Sequence, residues 1–368
     1  MMSISRILRF VELALSKTQE PFIFLSTEPT TVYYFTAFAS SNATILITKS
    51  DQETVEVNLV TDGRYLDQAR SNLSDLLQST QINFQIINQA ENSFQSIIQS
   101  NSTKEPRLLL EFDRISHANF LGVLSSFATK PEVLDVTSLL VSQRQVKDHK
   151  EIEKIARAAT IASMAFEEFA TELRPGTTEA QAAARLDYLI RINGGEGVAF
   201  DTIVASGPNS SFPHAVPTDR PIMTNEPIVV DFGATFEGYR SDCSRTIKTA
   251  GTSFSDEVEE VYQKVLLSQE EGISMLRPGV SSGTIDDRCR TSFDEGSRRY
   301  FSHGTGHGVG LEIHEAPWLL KGQTTELCEG MVVTVEPGLY YPNQFGIRIE
   351  DLFVITDQGA RLLTNLTK

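Results

Sequence analysis

Asp231 closes the run Ile228-Val229-Val230, where a strand should lie buried, and a carboxylate there is costly unless it is paired, hydrogen-bonded or bound to a metal. Glu336 repeats the situation after Val332-Val333-Thr334-Val335, and a second acid follows each: Asp242, 11 residues after Asp231, and Glu350, 14 residues after Glu336. Four converging carboxylates repel one another without cations between them. Hard divalent ions supply that compensation, and carboxylates that can bridge two ions suit a dinuclear site. Of the six histidines, His214 lies in Phe212-Pro213-His214-Ala215, while His303, His307 and His314 fall within twelve residues around a glycine-rich run. Taken singly, each would be an ordinary core or surface residue. Clustered among glycines that leave the backbone open, they suit ligation of Mn, Co, Fe or Zn and proton traffic near neutral pH. They exceed what a carboxylate-rich site needs as ligands, so the surplus should bind substrate or steady a transition state.

Neighbouring residues could serve the same site. Arg348, two residues before Glu350, would share that acid's face in an extended segment, where a charge-assisted pair could orient it. Cys243 would point away from Asp242 and reads as packing. Trp318, Tyr340 and Tyr341 could wall a pocket, although aromatic residues near strands are more often core.

The elements that must carry these residues are duplicated. Leu173-Arg174-Pro175-Gly176, a helix-stop turn, returns as Leu276-Arg277-Pro278-Gly279, 103 positions on, and Asp231 and Glu336 are 105 apart. Each half would contribute two carboxylates, with the segments of Asp242 and Glu350 running back antiparallel to the first acid's strand. Upstream, β-rich runs at 22–25, 44–47, 55–60, 83–87 and 108–112 alternate with helical stretches, giving a small α/β domain. The segment 146–173 is charged and helix-periodic, with Ile152, Ile155, Ala159, Ala162, Phe166 and Phe169 on one stripe, so it opens a second domain. The boundary is placed near Ser142, giving domains 1–142 and 143–368 in an α/β (α+β) chain.

With 32 Lys+Arg against 48 Asp+Glu, the net charge of −16 argues against a nucleic-acid or anionic-membrane partner. Cys243, Cys289 and Cys328 form no CxxC pair, which points away from a disulfide framework or thiolate zinc site and toward a reducing cytoplasm. Residues 1–20 read as an amphipathic helix, since Arg9 and Glu12 interrupt any signal-type run, and no membrane-spanning apolar stretch occurs.

Asp231, Asp242, His307, Glu336 and Glu350 together resemble the five-ligand dinuclear site of the M24 metallopeptidases with the pita-bread fold. Segments 200–217, 303–317 and 334–351 are similar to their proline-specific branch, aminopeptidase P and prolidase, and so is Thr61-Asp62-Gly63-Arg64-Tyr65 in the first domain. The resemblance implies a creatinase/prolidase-like domain followed by a pita-bread domain with pseudo-twofold halves. It implies Asp231 on one ion, His307 and Glu336 on the other, Asp242 and Glu350 bridging, and a bridging water or hydroxide as nucleophile. Glu336 would take the nucleophile's proton, His214 and His314 would hold the carbonyl oxygen or leaving group, and His303 would line the substrate pocket. Two divalent ions follow, manganese first, with Co, Zn or Fe as alternatives, acting on Xaa-Pro peptides in a homodimer. Two rivals stand beside the aminopeptidase P reading: a prolidase cutting only Xaa-Pro dipeptides, and a pita-bread binding protein that has lost catalysis.

Overall fold

Apolar residues at helical spacing, Ile4, Ile7, Phe10, Val11 and Ala14, bury one face of the helix Met2–Thr18, as the N-terminal periodicity predicts. The computed structural model describes residues 2–19, 21–50, 54–91, 96–98 and 107–368, which fall into two units, Met1–Gln143 and Arg144–Lys368. Among the described residues, no helix is long and apolar enough to cross a membrane.

The first unit is built on a six-stranded sheet in the order β4-β3-β2-β1-β5-β6: β1 Phe22–Ser26, β2 Ala43–Lys49, β3 Val55–Thr61, β4 Ile82–Asn88, β5 Arg107–Leu110 and β6 Glu132–Asp135. β1 is buried on both faces, which explains its unbroken apolar run. On one side Phe10 packs 4.6 Å from the Phe24 ring and 5.4 Å from Phe35. Each such burial contributes about 1.5–3 kcal/mol. Ile23, Leu25, Leu46, Val60, Leu108 and Leu110 form the other layer. The strand expected over 108–112 ends early, because Arg114 and Ile115 donate their amides to the Glu111 carbonyl and turn the chain, leaving Phe112 exposed.

The second unit is duplicated. The first half opens with the helix His149–Glu172, started by a capping box between Asp148 and Glu151, and continues with Glu179–Ile192, capped by Thr178 and Gln181. The second half opens with Asp256–Ile273, capped by Ser255, followed by Ser282–Ser292. Gly176 (φ 89) and Gly279 (φ 82) end the two Leu-Arg-Pro-Gly turns in the left-handed region that favours glycine. They donate to equivalent carbonyls, Gly176 N to Ile222 O and Gly279 N to Leu327 O, both at 2.8 Å.

Each half then forms an antiparallel core of three strands. In the first, β8 (Ile203–Ser206), β9 (Ile228–Phe232) and β12 (Cys243–Ile247) pair with Asp231 opposite both Ile203 and Ser244. A small sheet of β7 (Gly197–Val198), β10 (Ala234–Phe236) and β11 (Tyr239–Arg240) accompanies them. In the second, β13 (Gly306–Gly308), β15 (Val332–Val335) and β18 (Asp351–Thr356) repeat the order, extended by β14 (Glu315–Leu319) and β19 (Gly359–Leu362), and β16 (Gly338–Tyr341) pairs with β17 (Phe345–Arg348). Each half has its own apolar core, one around Phe166 stacked on Phe232 at 4.7 Å and one around Val265, Ile285, Val335 and Ile347. The halves are joined where β12 meets the segment 348–351. Glu350 N donates to Ser244 O at 3.0 Å, and the buried Arg245 donates to the Glu350 carbonyl and the Asp351 carboxylate, both at 2.6 Å.

Candidate metal centre

The strand pairing carries the acids of the two halves to one place. Asp231 sits within β9 and Asp242 immediately before β12, while Glu336 follows β15 and Glu350 precedes β18. The segments of Asp242 and Glu350 do run back antiparallel to the first acid's strand. His307, at the centre of β13, completes the group. Its neighbours must be glycine, because a Cβ on Gly306 would lie 2.2 Å from the Thr334 carbonyl and one on Gly308 2.3 Å from that of Ala316.

Asp242, His307 and Glu350 each offer a ligand atom within 4.8 Å of the others. His307 Nε2 lies 3.3 Å from Glu336 Oε1 and 3.6 Å from Asp242 Oδ2, while Nδ1 lies 3.1 Å from the Gly308 carbonyl, which fixes the ring. Burial disfavours the charged imidazole, but Glu336 and Asp242 outweigh it and raise its pKa to about 9. Burial also pushes the Glu336 carboxyl up, yet its hydrogen bond and charge attraction to His307 carry it down to about 2. Burial and the neighbouring carboxylates raise Asp242 and Glu350 well above the ordinary carboxylate range. Asp231 is raised by burial against the pull of Arg348. Its Oδ2 accepts from Arg348 Nη2 at 2.6 Å, while the buried Oδ1 makes no hydrogen bond.

These residues fit a divalent cation. The donors are carboxylate oxygens and one imidazole nitrogen, the acids disfavour one another's ionisation, and one buried oxygen has no hydrogen donor. They line a cavity of about 530 Å³ that also takes in His214, His303, His314, Trp318 and Arg348. The His314 ring centroid lies 4.4 Å from that of His307, and its partial burial followed by the His307 charge lowers its pKa. His303 bridges the Gly304 carbonyl at 2.8 Å and the Tyr340 hydroxyl at 2.9 Å, and burial lowers its pKa.

One expectation changes, and one left open is divided. Arg348 does not pair with Glu350: its guanidinium reaches Asp231, Ser244 Oγ at 2.8 Å, Tyr340 Oη at 2.8 Å and the Pro213 carbonyl at 2.9 Å. Ser244 donates onward to Glu350 Oε2 at 2.8 Å, so the link to that acid runs through a hydroxyl. Of the three aromatics, Trp318 lines the cavity, whereas Tyr340 is spent on Arg348 and His303, and Tyr341 packs on Tyr300 and Phe345. Cys243 is buried as packing, donating Sγ–H to the Glu350 carbonyl at 3.3 Å. Ser244 and Tyr340 were missed as organising residues. Ser244 lies two residues after Asp242 in an extended segment, the same spacing that relates Arg348 to Glu350, and that spacing is the signal for it.

Residues 153–357 match the model of metallopeptidase family M24, and residues 15–146 match the creatinase/prolidase N-terminal domain. The chain therefore belongs to metallopeptidase family M24. It is 34% identical over 346 residues, 94% of both chains, to an uncharacterized peptidase of Bacillus subtilis, and 39% identical over 246 residues to an Xaa-Pro dipeptidase of Pyrococcus horikoshii, covering 67% of this chain and 70% of that one. An Xaa-Pro dipeptidase from Bacillus anthracis superposes with a TM-score of 0.89 at 31% identity, covering 100% of this chain and 98% of the other. An X-Pro aminopeptidase from Thermotoga maritima gives 0.84 at 35% identity, covering 96% and 98%.

Proposed function

We propose that this chain is a metal-dependent Xaa-Pro peptidase that releases an N-terminal residue preceding proline, with aminopeptidase P-type specificity. The observation that carries the reading is the convergence of Asp231, Asp242, His307, Glu336 and Glu350 in the wall of one cavity with three further histidines. In this reading the five hold two divalent ions, manganese first, then Co, Zn or Fe. A homodimer and a cytoplasmic setting belong to the same reading, the latter supported by three widely spaced cysteines with no CxxC pair.

Bound divalent ions supply Lewis acidity, making water a nucleophile near neutral pH and polarising a carbonyl oxygen. The rest falls to the chain's own groups. Glu336, held by His307, takes a proton from the attacking water through its carboxylate. His214 and His314 line the cavity, where each ring could donate to the carbonyl oxygen or leaving nitrogen as charge develops, an effect on the order of 3 kcal/mol per well-placed donor. Arg348 fixes one oxygen of Asp231, and the other, which makes no hydrogen bond, would be available to an ion. An Xaa-Pro bond has no N–H, and the cavity offers the proline ring apolar surface at Ile313, Trp318 and Leu320.

Longer peptides are favoured over dipeptides because a dipeptidase needs a cation for the free C-terminal carboxylate. Arg348, the guanidinium lining the cavity, is already committed to four acceptors. The test is hydrolysis of Ala-Pro and Ala-Pro-Ala by metal-stripped protein given back Mn, Co or Zn in turn, with Asp242→Ala as control. Metal-dependent cleavage of the tripeptide that vanishes in the variant supports the proposal. Cleavage of the dipeptide alone makes the chain a prolidase, and metal binding without cleavage of either returns it to the binding-protein reading.

A further inference from the structure

One fully buried carboxylate of the second unit stands outside the metal centre and faces uncharged donors. Glu179 is the first residue of the helix Glu179–Ile192, where the helix dipole favours negative charge. Its Oε1 accepts from the Ser206 amide at 2.7 Å and the Ser206 hydroxyl at 2.9 Å. Its Oε2 accepts from Asn209 Nδ2 at 2.7 Å, the Thr218 amide at 3.0 Å and the Thr218 hydroxyl at 2.7 Å. The nearby Arg220 directs its guanidinium to Glu226 in a bidentate pair at 2.7 and 2.6 Å and to the Ser206 hydroxyl.

All five donors belong to the ends of one segment, 206–218. Its middle supplies Pro213, His214, Ala215 and Val216 to the cavity wall, and Phe212, His214 and Val216 are exposed. Beyond those donations, the middle is held by the Ser210 hydroxyl accepting from Gly346 N at 2.9 Å, the Pro213 carbonyl accepting from Arg348, the Val216 carbonyl accepting from Asn209 Nδ2 at 3.2 Å, and Ala215 packing on Ile203 and Ala205. Phe212, His214 and Val216, exposed around the buried Ala215, keep their geometry only while the flanking residues are fixed. We infer that Glu179 is a positioning residue for substrate: by clamping both ends of 206–218, it sets where His214 stands over the cavity. The role of His214 in this inference rests on the peptidase reading above.

The clamp requires a carboxylate. Glutamine would turn an NH2 group either toward the Ser206 amide or toward the Thr218 amide, and neither backbone N–H can become an acceptor. Aspartate keeps the charge with a shorter reach.

The test uses the full, metal-loaded chain. Glu179→Gln and Glu179→Asp are each made alone and with His214→Ala, and kcat and KM are measured on Ala-Pro-Ala. Hydrogen exchange of 206–218 is followed beside that of 301–308, and metal content is measured throughout. We expect Glu179→Gln to lower kcat/KM about tenfold in the parent but less than twofold in the His214→Ala background, with partial recovery in Glu179→Asp. Exchange should quicken in 206–218 and not in 301–308, at unchanged metal content. An equal loss in both backgrounds, unchanged exchange, or loss of metal would overturn the inference. Should Glu179→Gln fail to fold, the aspartate variant answers the same questions. A parent that cuts neither Ala-Pro nor Ala-Pro-Ala, yet loses protection of 206–218 in the variant, would sink the peptidase reading while leaving the clamp itself standing.

Discussion

The two halves of the second unit place an acid at the end of the apolar run of corresponding strands and then treat it differently. Asp231 is met by a guanidinium from the other half, Arg348, whereas Glu336 is met by an imidazole from its own half, His307. The Asp231 carboxyl is raised, and the Glu336 carboxyl is carried down to about 2. The accessory histidines show a similar divergence. Glu179 holds the His214 segment through neutral donors, while Glu315, beside His314, is held by Lys147 at 2.8 Å and Arg144 at 2.6 Å. Duplication thus fixes where a charge sits, and the unduplicated neighbours decide what that charge can do.

The largest effect should separate the two acids. Glu336→Gln removes both a proposed ligand and the proposed proton acceptor, so kcat for Ala-Pro-Ala should fall on the order of 1,000-fold or more. A rate within tenfold of the parent would show that Glu336 has no more chemistry in it than its partner in the fold. A second variant probes stability. Arg348→Met leaves Asp231 buried without its cation and should cost about 3–5 kcal/mol in urea unfolding of metal-stripped protein. Adding Asp231→Asn should return part of that loss. If the double variant is no better than the single, the pair is not what stabilises the junction.

The smallest effect is one of pH. Burial raises the Glu315 carboxyl, but Lys147 and Arg144 outweigh it and hold it below the ordinary value of 4.5. The unfolded chain then binds more protons than the folded one, so this contribution is complete above about pH 4.5 and drains away as pH falls through the depressed folded value. The difference in unfolding free energy between the parent and Glu315→Gln should therefore be flat from pH 7 to 5 and shrink toward pH 3. A difference that stays constant over that whole range would show that the cations contribute nothing to the His314 anchor.

Much of this arrangement was legible in the sequence because it depends on local rules. Apolar runs ending in acids marked β9 and β15, the Leu-Arg-Pro-Gly turns marked the halves, and the glycine-rich run marked where the histidines cluster. What could not be read was set by partners distant in the chain. Arg348 shares an extended face with Glu350, yet its guanidinium lies against Asp231, 117 residues away, because β12 brings Ser244 between it and Glu350. Glu179 carries no sign of its role in the sequence, because its five donors lie 27 to 39 residues downstream. The early end of β5 likewise turned on Glu111, whose carbonyl collects two amides that no period in the sequence announces.

The junction between halves also bears on how this unit comes apart. Asp231 and Asp242 belong to one half, His307, Glu336 and Glu350 to the other, so ions held among all five, as proposed, would recognise only the chain in which both halves are folded together. Binding free energy is then added wholly to the cooperative transition and not to either half, rising with the logarithm of free ion over its dissociation constant. Metal supply would tune the sharpness with which the two halves melt as one.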